Sequence, residues 1–380
     1  MPFVRRLVAI GMTVALVLVA SGCSGDAAVS SEAKRVCGRV PSPGAVALTF
    51  EPVAEPSQRA EVCRIADTYS DIVGDHSWTD LPMRLASLEP RMRTWQRRML
   101  LHACGDCSDG GLDLAEVRRS HPEWVLRDGS GQEVHSPGRP GEVLLDFGDP
   151  DYQAAWAQTV EDDLEAHSWT GVEITDVGND QRWSSDPIDP RTNRPMTSAD
   201  RARYIAEALA LVRGALKTDG HSVVAVNGPP GIVDAPQIAS TDAVTVGEGF
   251  AGRRSGSWDE LFRYFDTAVD REVGSWVQDA APVDERERVF AFASYLLVSG
   301  PLSSYGPPGQ PDDPLYRISL GPATDDPARD GAAWTRRFEK GVVAVAPGPA
   351  PADVRLPDGT STLLDPGQGL IVTADGRRID

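Results

Sequence analysis

Short apolar segments recur along this chain from about residue 41, and stretches with helical periodicity separate them. Gly171–Asp176, Val223–Val226 and Ala243–Val246 have the length and composition of strands that are buried on both faces of a sheet. Apolar residues from Tyr204 to Leu216 recur at the spacing of one helix face. Alternating strands and helices form a parallel sheet covered by helices, which excludes an all-helical or an all-β fold.

Seven or eight strands of this kind precede residue 318. They are predicted at Ala45–Phe50, Ser70–Val73, Arg98–Ala103, Gly171–Asp176, Val223–Val226, Ala243–Val246 and Val273–Val277, with Val143–Phe147 as a short extra strand. This number of strands, with helices between them, favours a (β/α)₈ TIM barrel over an open doubly wound sheet. No Gly-x-Gly-x-x-Gly follows the first strand, which argues further against a dinucleotide-binding sheet.

Two of the predicted helices begin with capping signals. Thr197 stands three residues before Asp200, the pattern of a capping box, and Asp149-Pro150 is typical of a helix start. Further helices are predicted at Trp258–Val269 and Arg288–Val298.

The pattern changes after residue 318, where the helical periodicity stops. Arg337–Val345 reads as a strand, and further short strands flank the turns at Pro357–Gly359 and Pro366–Gly367. We therefore predict a barrel over residues 41–318 and a small antiparallel β region over residues 319–380. A unit this small is expected to pack against the barrel, because it cannot bury enough surface alone.

The N-terminus has the composition of an export signal. Arg5 and Arg6 precede an uncharged apolar run from Leu7 to Ala20, which small residues and Cys23 follow. The segment before Cys23 resembles a bacterial lipoprotein cleavage box, so we expect residues 1–22 to be a signal peptide and Cys23 to carry the lipid. Residues 23–40 would then tether the protein to the extracytoplasmic side of the cell membrane.

Four cysteines remain after Cys23, an even number that suits an oxidising compartment. We pair Cys37 with Cys63 and Cys104 with Cys107. The latter two end an apolar strand rather than opening a helix, which argues against a thioredoxin-like redox site. No second Cys/His cluster has the spacing of a zinc site, and no metal or cofactor is implied.

The formal net charge of −19 limits the partners that the protein can bind. Nucleic acid binding requires a basic surface, so no nucleic acid partner is expected. Tight adhesion to anionic lipid headgroups is equally unfavourable, and the lipid on Cys23 would provide the membrane contact. We expect the protein to be a monomer.

Acidic residues follow several of the predicted strands, where a barrel enzyme carries its chemistry. Hydrolysis of a glycosidic bond needs two carboxyl groups, one on each side of the bond. Asp176 follows a strand and opens a polar loop, and Glu248 stands between Gly247 and Gly249. Glycines at these positions let a ligand approach the backbone closely. We therefore predict Asp176 and Glu248 as the catalytic pair.

The direction of the side chains after Trp169 remains open at this stage. If Asp176 points into the barrel mouth, Glu173 and Thr175 face the helices. A charged Glu173 against apolar helices would be costly without a partner. The alternative places Glu173 and Thr175 in the mouth, with Asp176 beginning the loop.

Further polar and aromatic residues near the strand ends have the chemistry of a sugar-binding cleft. Hydroxyl groups would be bound by carboxylates, amides and imidazoles, and the apolar faces of sugars would stack on aromatic rings. The predicted substrate-binding residues are Asp146, Glu173, Asn227, His102, Trp183, Phe250 and Tyr305.

Six segments together resemble the TIM-barrel glycosyl hydrolases related to endo-polygalactosaminidase and to hypothetical glycosyl hydrolase families. They are Trp169–Val177, Val224–Gly228, Gly247–Phe250, Arg336–Gly341, His121–Asp128 and Leu145–Pro150. The resemblance implies a (β/α)₈ barrel with a C-terminal β region and activity on glycosidic bonds. The family pattern has an aspartate at the position of Thr175, whereas Glu248 matches the later acid of the family.

Two hypotheses follow from these observations. The first is a surface-anchored glycoside hydrolase that cleaves a polysaccharide with Asp176 and Glu248. The alternative, prompted by Thr175, is a glycan-binding lipoprotein on the same barrel that has lost catalysis, because a threonine cannot replace an acid at neutral pH.

Overall fold

A large parallel sheet forms the centre of the protein in the computed structural model. The structure describes residues 33, 35–37, 48–50, 55–105, 110–137, 139–175, 177, 183–218, 220, 222–227, 241–246, 249–253, 255–279, 284–300, 302–307, 313–356 and 358–380.

Strands and helices both occur up to residue 306, and short strands follow one another in several of the connections. In chain order they are β1 (Thr49–Phe50), α1 (Arg59–Thr68), β2 (Asp71–Asp75), α2 (Leu81–Leu88), β3 (Arg93–Met99), β4 (His102–Cys104), β5 (Leu112–Asp113), α3 (Leu114–Ser120), β6 (His135–Ser136), β7 (Arg139–Leu144), α4 (Pro150–His167), β8 (Gly171–Thr175), β9 (Ile188–Asp189), β10 (Arg194–Pro195), α5 (Ser198–Thr218), β11 (Ser222–Asn227), β12 (Ala243–Val246), α6 (Ser255–Val269), β13 (Gly274–Gln278), α7 (Glu285–Leu297) and β14 (Ser304–Gly306).

Only strands, apart from one 3₁₀ turn at Pro314–Arg317, follow in the described part of the chain after β14. They are β15 (Ala328–Asp330), β16 (Ala333–Phe338), β17 (Gly341–Ala346), β18 (Ala352–Arg355), β19 (Ser361–Leu364), β20 (Gln368–Thr373) and β21 (Arg378–Ile379).

The central sheet has eight strands in the order β1-β2-β3-β8-β11-β12-β13-β14, and all neighbouring pairs are parallel. Leu48, directly before β1, forms a parallel bridge with Tyr305 of β14, so the first and the last strand are also neighbours. Spatial order thus follows chain order, and helices lie in the connections that the structure describes. The predicted mixed α/β fold with a parallel sheet is confirmed.

Aromatic side chains fill the inner side of this sheet. Val73, Trp95, Ala243 and Trp276 form a separate buried cluster, although they come from β2, β3, β12 and β13. The rings of Trp95 and Trp276 meet edge to face, with 4.8 Å between centroids. Residues on non-adjacent strands can touch in this way only across the inside of a strongly curved sheet.

The strand predicted at Arg98–Ala103 is wrong in its boundaries. The central strand β3 runs from Arg93 to Met99, and His102–Cys104 is a separate strand paired with β7 in a four-stranded sheet. Arg93 and Arg97 are charged, and charged residues are not typical of a strand that is buried on both faces. Both arginines form ion pairs with carboxylates of neighbouring central strands, which makes their presence in β3 possible.

Three further boundaries also differ from the prediction. The extra strand predicted at Val143–Phe147 ends at Leu144 and begins at Arg139. The segment Arg337–Val345, predicted as one strand, belongs to two strands. β16 and β17 form a hairpin that turns at Glu339 and Lys340. The eighth central strand, Ser304–Gly306, is too short and too polar to be recognised in the sequence.

The predicted capping signals are confirmed. The Asp149 carboxylate accepts hydrogen bonds from the backbone N–H groups of Asp151 and Tyr152 at the start of α4. Thr197 and Asp200 form reciprocal hydrogen bonds at the start of α5. The Asp200 N–H donates to Thr197 Oγ1 over 3.1 Å, and the Thr197 N–H donates to the Asp200 carboxylate.

The C-terminal strands form an antiparallel sheet in the order β15-β16-β17-β20-β21, with β18 and β19 paired beside it. Val343, Val345 and Ile371 of this sheet belong to the same buried cluster as α7 and the central sheet. A Cβ atom on Gly369 would lie 2.8 Å from the Phe290 Cα atom of α7, so β20 can approach the helix this closely only with glycine. The C-terminal sheet therefore packs on α7, as expected for a unit of its size.

Cys37 and Cys63 form a disulfide with a Cα–Cα distance of 5.5 Å, which confirms that pairing. Cys104 is also disulfide-bonded, and its predicted partner Cys107 lies outside the described residues. The signal peptide, Cys23 and most of the tether lie outside them too. Within the described ranges, no helix has the length and apolarity needed to span a bilayer.

Replacing Trp95 by alanine should lower the free energy of unfolding by about 3–5 kcal/mol, because it leaves a cavity opposite Trp276 inside the sheet. Met83→Ala is the matched control, since Met83 is 56% exposed, and should change stability by less than about 0.5 kcal/mol. Urea denaturation followed by circular dichroism measures both values. Equal effects of the two substitutions would contradict the central role of the Trp95–Trp276 contact.

Candidate active site

The strand ends that carry the predicted catalytic acids lie near one another. Asp176 follows Thr175, the last residue of β8, and Glu248 follows β12 after one intervening glycine. Only β11 separates β8 from β12 in the sheet. Asp176 and Glu248 themselves, and the side chain of Asn227, lie outside the described residues, so their predicted roles remain predictions.

A row of charged side chains crosses three neighbouring strands just below this edge. Asp75, Arg97 and Glu173 are in register on β2, β3 and β8 and therefore point to the same face. Arg97 stands two residues after Trp95, so this face is the inner one. Glu173 and Thr175 thus point into the interior, which decides between the two directions left open by the sequence.

Glu173 is fully buried, and Arg97 neutralises its charge. Arg97 Nε and Nη2 both lie 2.7 Å from Glu173 Oε2, while a quarter of the Arg97 side chain remains exposed. A buried carboxylate of this kind is stable only with a close cation. Glu173 therefore holds Arg97 in place near the carboxyl ends of the strands.

Asp75 and His76 extend this row to the surface. His76 Nδ1 lies 3.1 Å from Asp75 Oδ1, and the two side chains are 31% and 23% exposed respectively. The Asp75 carboxylate also accepts a hydrogen bond from the Ser77 N–H. A carboxylate, an imidazole and a guanidinium at one strand edge can bind the hydroxyl groups of a sugar. Thr175 lies beside them, and its hydroxyl donates to the Arg98 carbonyl over 3.2 Å.

Two long connections form a wall at the same end of the sheet. One leads from β3 to α4 and the other from β8 to α5, so both leave from carboxyl ends of central strands. They meet at Asp146 and Arg191, where Arg191 Nη2 donates to Asp146 Oδ1 over 2.7 Å and Nη1 donates to Oδ2 over 3.3 Å. Arg191 also pairs with Asp189, which is fully buried.

Asp146 has little freedom to bind a ligand in this arrangement. It is 3% exposed, and both its oxygens accept hydrogen bonds from Arg191. Burial raises the pKa of Asp146, although the Arg191 guanidinium opposes this effect. The contacts make Asp146 a link between the two connections, and its predicted contact with substrate remains a prediction.

The other predicted substrate-binding residues are in two different environments. His102 is buried in β4 with Nε2 3.0 Å from Ser136 Oγ, and Trp183 is half-buried with the Arg201 guanidinium 3.8 Å from its ring centroid. Both belong to the wall at the mouth. Phe250 and Tyr305 are almost completely buried among other aromatic rings, so their surfaces do not face a cleft in this structure. The contacts of these four residues with a substrate remain predictions.

Asp279 is a functional candidate that the sequence analysis missed. It follows β13 at the same edge, and its carboxylate accepts hydrogen bonds from the N–H groups of Ala251, over 2.7 Å, and Phe250, and from the Tyr305 hydroxyl. Burial raises the pKa of Asp279 to about 6, against these hydrogen bonds. A signal was present, since Asp279 stands two residues after the predicted strand Val273–Val277, as Glu248 stands two residues after Val246.

The contact between Asp279 and the following loop requires glycine at position 249. A Cβ atom there would lie 2.3 Å from Asp279 Oδ1, which is closer than any non-bonded contact allows. The Gly249 N–H also donates to the Gln278 carbonyl over 2.8 Å. The segment that immediately follows Glu248 is therefore attached to the end of β13. In the described ranges, no three His, Cys, Asp or Glu side chains are grouped for metal binding.

Residues 108–342 match the sequence profile of the hypothetical glycosyl hydrolase family 15. No curated protein matches the chain in sequence. The cycloalternan-degrading enzyme from Trueperella pyogenes has a similar structure, with a TM-score of 0.53 and 12% identity over 90% of this chain and 63% of that chain. A maltogenic α-amylase from Thermotoga neapolitana has a TM-score of 0.49, with 10% identity over 88% and 97%.

The glycoside hydrolase domain of PelA from Pseudomonas aeruginosa has a TM-score of 0.41, with 13% identity over 72% of this chain and 97% of that domain. At such identities a structural likeness extends to the fold alone. The family match over residues 108–342 confirms the resemblance to the hypothetical glycosyl hydrolase families, and the chain belongs to family 15 of these. The relation to endo-polygalactosaminidase remains a prediction.

Arg97→Met should lower the free energy of unfolding by about 3 kcal/mol, because it leaves the buried Glu173 carboxylate without its cation. The double variant Arg97→Met/Glu173→Met should regain at least about 2 kcal/mol of this loss, since neither charge of the pair remains. Arg329→Met, at an exposed arginine of β15, is the control. A double variant no more stable than Arg97→Met would refute the pairing.

The pKa of Asp279 predicts a pH dependence of stability. A carboxyl group whose pKa is raised in the folded protein ionises first in the unfolded chain, so folding stability falls as pH rises from 3.8 to about 6. Asp279→Asn removes this ionisation. The unfolding free energy of the variant minus that of wild type should therefore be about 3 kcal/mol higher at pH 7 than at pH 3.5. Parallel urea titrations measure the difference, and a pH-independent difference would contradict it.

Proposed function

Because the chain belongs to the hypothetical glycosyl hydrolase family 15, we propose that it hydrolyses the glycosidic bonds of a polysaccharide. The family match confirms, at family level, the expectation of an enzyme that acts on O-glycosyl bonds. The substrate is proposed to be a polymer because two long connections, joined by Asp146 and Arg191, lie beside the strand ends.

The proposed scaffold is a complete (β/α)₈ barrel. Its support is the eight-stranded parallel sheet in chain order, together with the bridge between Leu48 and Tyr305 that makes the first and last strands neighbours. In a barrel of this kind the active site lies at the carboxyl ends of the strands. The charged row of Asp75, Arg97 and Glu173 and the wall at Asp146 lie at that end.

The proposed catalytic pair is Asp176 and Glu248. The single observation that carries this assignment is the strand order, in which β8 and β12 have only β11 between them. Two strand spacings separate the backbones by roughly 10 Å, a distance that two carboxylate side chains flanking a glycosidic bond can bridge. One carboxyl group protonates the leaving oxygen, and the other attacks the sugar or activates water.

The described residues would assist this reaction by binding and positioning. The exposed part of Arg97 and the Asp75–His76 pair would bind sugar hydroxyls beside the scissile bond, with Glu173 holding Arg97 in its orientation. Asp279 would hold the backbone that follows Glu248, because its carboxylate accepts hydrogen bonds from the N–H groups of Phe250 and Ala251. No cofactor is required for this chemistry.

A second candidate function is glycan binding without hydrolysis. Thr175 favours it, since this residue stands where the resembling family has an aspartate and its hydroxyl bonds to the Arg98 carbonyl. In that case the same mouth would bind an oligosaccharide without releasing reducing ends.

The protein is further proposed to act at the cell surface, held to the membrane by a lipid on Cys23. The basic start, the apolar run and the small residues before Cys23 support this proposal, as does the disulfide between Cys37 and Cys63, which suits an exported protein.

Asp176→Asn and Glu248→Gln should each lower kcat on a cleaved glycan by at least about 10²-fold, because each removes a carboxyl group needed for acid–base or nucleophilic catalysis. Reducing-end release from a panel of polysaccharides measures the activity. Asp162→Asn, at an exposed acid of α4, is the control and should retain full activity.

The outcomes separate the two candidate functions. Cleavage by wild type with full activity of both variants would eliminate the assigned pair. Glycan affinity of the wild-type protein with no reducing-end release on any substrate would favour the binding protein.

A further inference from the structure

A cavity lies at the opposite end of the central strands from the proposed mouth. It has a volume of about 620 Å³ and lies between the end of α7, the segment 318–323 and strand β16. We call it the basal cavity. Ser303 on its wall directly precedes β14, and α7 ends beside it, so the cavity lies where the central strands begin. Its volume is within the roughly 300–1,000 Å³ of sites for small molecules.

Arg336 is the charged group of the basal cavity. The side chain is 7% exposed and lines the cavity. Within the described part of the chain, its hydrogen bonds go to backbone carbonyls and not to a carboxylate. Burial lowers the pKa of Arg336, and the more distant Asp326, Asp325 and Asp266 oppose this effect. A buried guanidinium without a directly paired anion is costly, unless other polar groups compensate it.

Part of this compensation comes from the helix end. Nη1 donates to the carbonyls of Leu297 and Ser299, over 2.8 Å each, and Nε donates to the Asp325 carbonyl over 3.1 Å. These bonds cap the last turn of α7, where a positive charge also suits the helix dipole. Nη2 donates no hydrogen bond within the described part of the chain. One edge of the guanidinium is therefore structural, and the other is available to a ligand in the cavity.

The remaining walls have two kinds of surface. Leu320, Ile318 and Phe338 provide an apolar side, and the Ser299 and Ser319 hydroxyls provide a polar one. The Ser319 hydroxyl makes no hydrogen bond to any described residue, and Ser319 is exposed. A sugar ring has the same division, with apolar C–H faces and a rim of hydroxyls. The unpaired edge of Arg336 adds a preference for a carboxylate.

We propose that the basal cavity binds an acidic sugar, with the carboxylate of a uronic acid on Arg336 Nη2 and the ring against Phe338 and Leu320. The Ser319 hydroxyl would bond to the sugar hydroxyls at the open side. This site is separate from the proposed active site, because it lies at the other end of the central strands. The enzyme would then hold the acidic unit of an oligosaccharide away from the bond that it cleaves.

Sodium D-glucuronate is the probe, and isothermal titration calorimetry of the purified protein measures its binding. Glucuronate should bind, and glucose, which lacks the carboxylate, should bind at least about tenfold more weakly because it cannot pair with Arg336. Acetate, which has the carboxylate without the ring, should also bind at least about tenfold more weakly. Equal affinity for glucuronate and glucose, or for glucuronate and acetate, would overturn the assignment.

Two variants test the location of the site. Arg336→Gln should weaken glucuronate binding at least about tenfold. Because this substitution also removes the cap of α7, Ser319→Trp is the second variant, which fills the open side of the cavity without touching the guanidinium. Ser87→Trp, at an exposed serine of α2, is its matched control and should bind as wild type does. Unchanged affinity in a folded Ser319→Trp variant would contradict the proposal.

A third variant distinguishes this site from the mouth. Glu248→Gln should retain glucuronate binding with wild-type affinity, since the two sites are at opposite ends of the strands. Loss of binding in Glu248→Gln together with normal binding in Arg336→Gln would assign the glucuronate to the mouth and refute the basal site. Neither result depends on whether the protein hydrolyses a glycan.

Discussion

A buried carboxylate inside the parallel sheet constrains much of this structure. Glu173 is fully enclosed, and Arg97 from the neighbouring strand must neutralise it. The pair fixes which residues of β3 and β8 point inward, because side chains alternate along a strand. Trp95 therefore fills the interior below the pair, and Thr175 lies above it. The charged row and the aromatic cluster are two consequences of the same register.

The interior is thus layered along the strand direction. Asp71 and Arg93 pair where the strands begin, Trp95 and Trp276 meet in the middle, and Asp75, Arg97 and Glu173 lie toward the strand ends. The apolar layer separates the two polar ones. Polar groups at the strand ends can consequently serve a ligand, while the stability of the sheet rests on the layers below them.

The connections decide how the strand ends become a site. The two longest ones are joined by the ion pair of Asp146 and Arg191, and the loop after Glu248 is attached to β13 by Asp279. Both contacts hold loops in place with buried carboxylates whose pKa is raised by burial. A cleft for a glycosidic bond needs such positioning, because small displacements of a catalytic group reduce the rate strongly. The basal cavity has no part in this arrangement.

The amino-acid sequence by itself determined the mixed α/β class, the parallel sheet, the helix caps at Asp149 and Thr197, the family resemblance and the Cys37–Cys63 pairing. Apart from the cysteine pairing, which joins residues 26 positions apart, each of these depends on local periodicity, on capping chemistry or on short motifs. The sequence also identified strand ends as the place for acids, although Asp279 was overlooked and Asp176 and Glu248 remain predictions.

Only the tertiary structure decided the boundaries of β3, the direction of Glu173 and the partners of Asp146. An arginine in a central strand is unfavourable until a carboxylate from another strand lies beside it, as Glu173 does for Arg97. That carboxylate is 76 residues away in the chain. No local pattern can report such a contact, because the charge is compensated through space and not along the sequence.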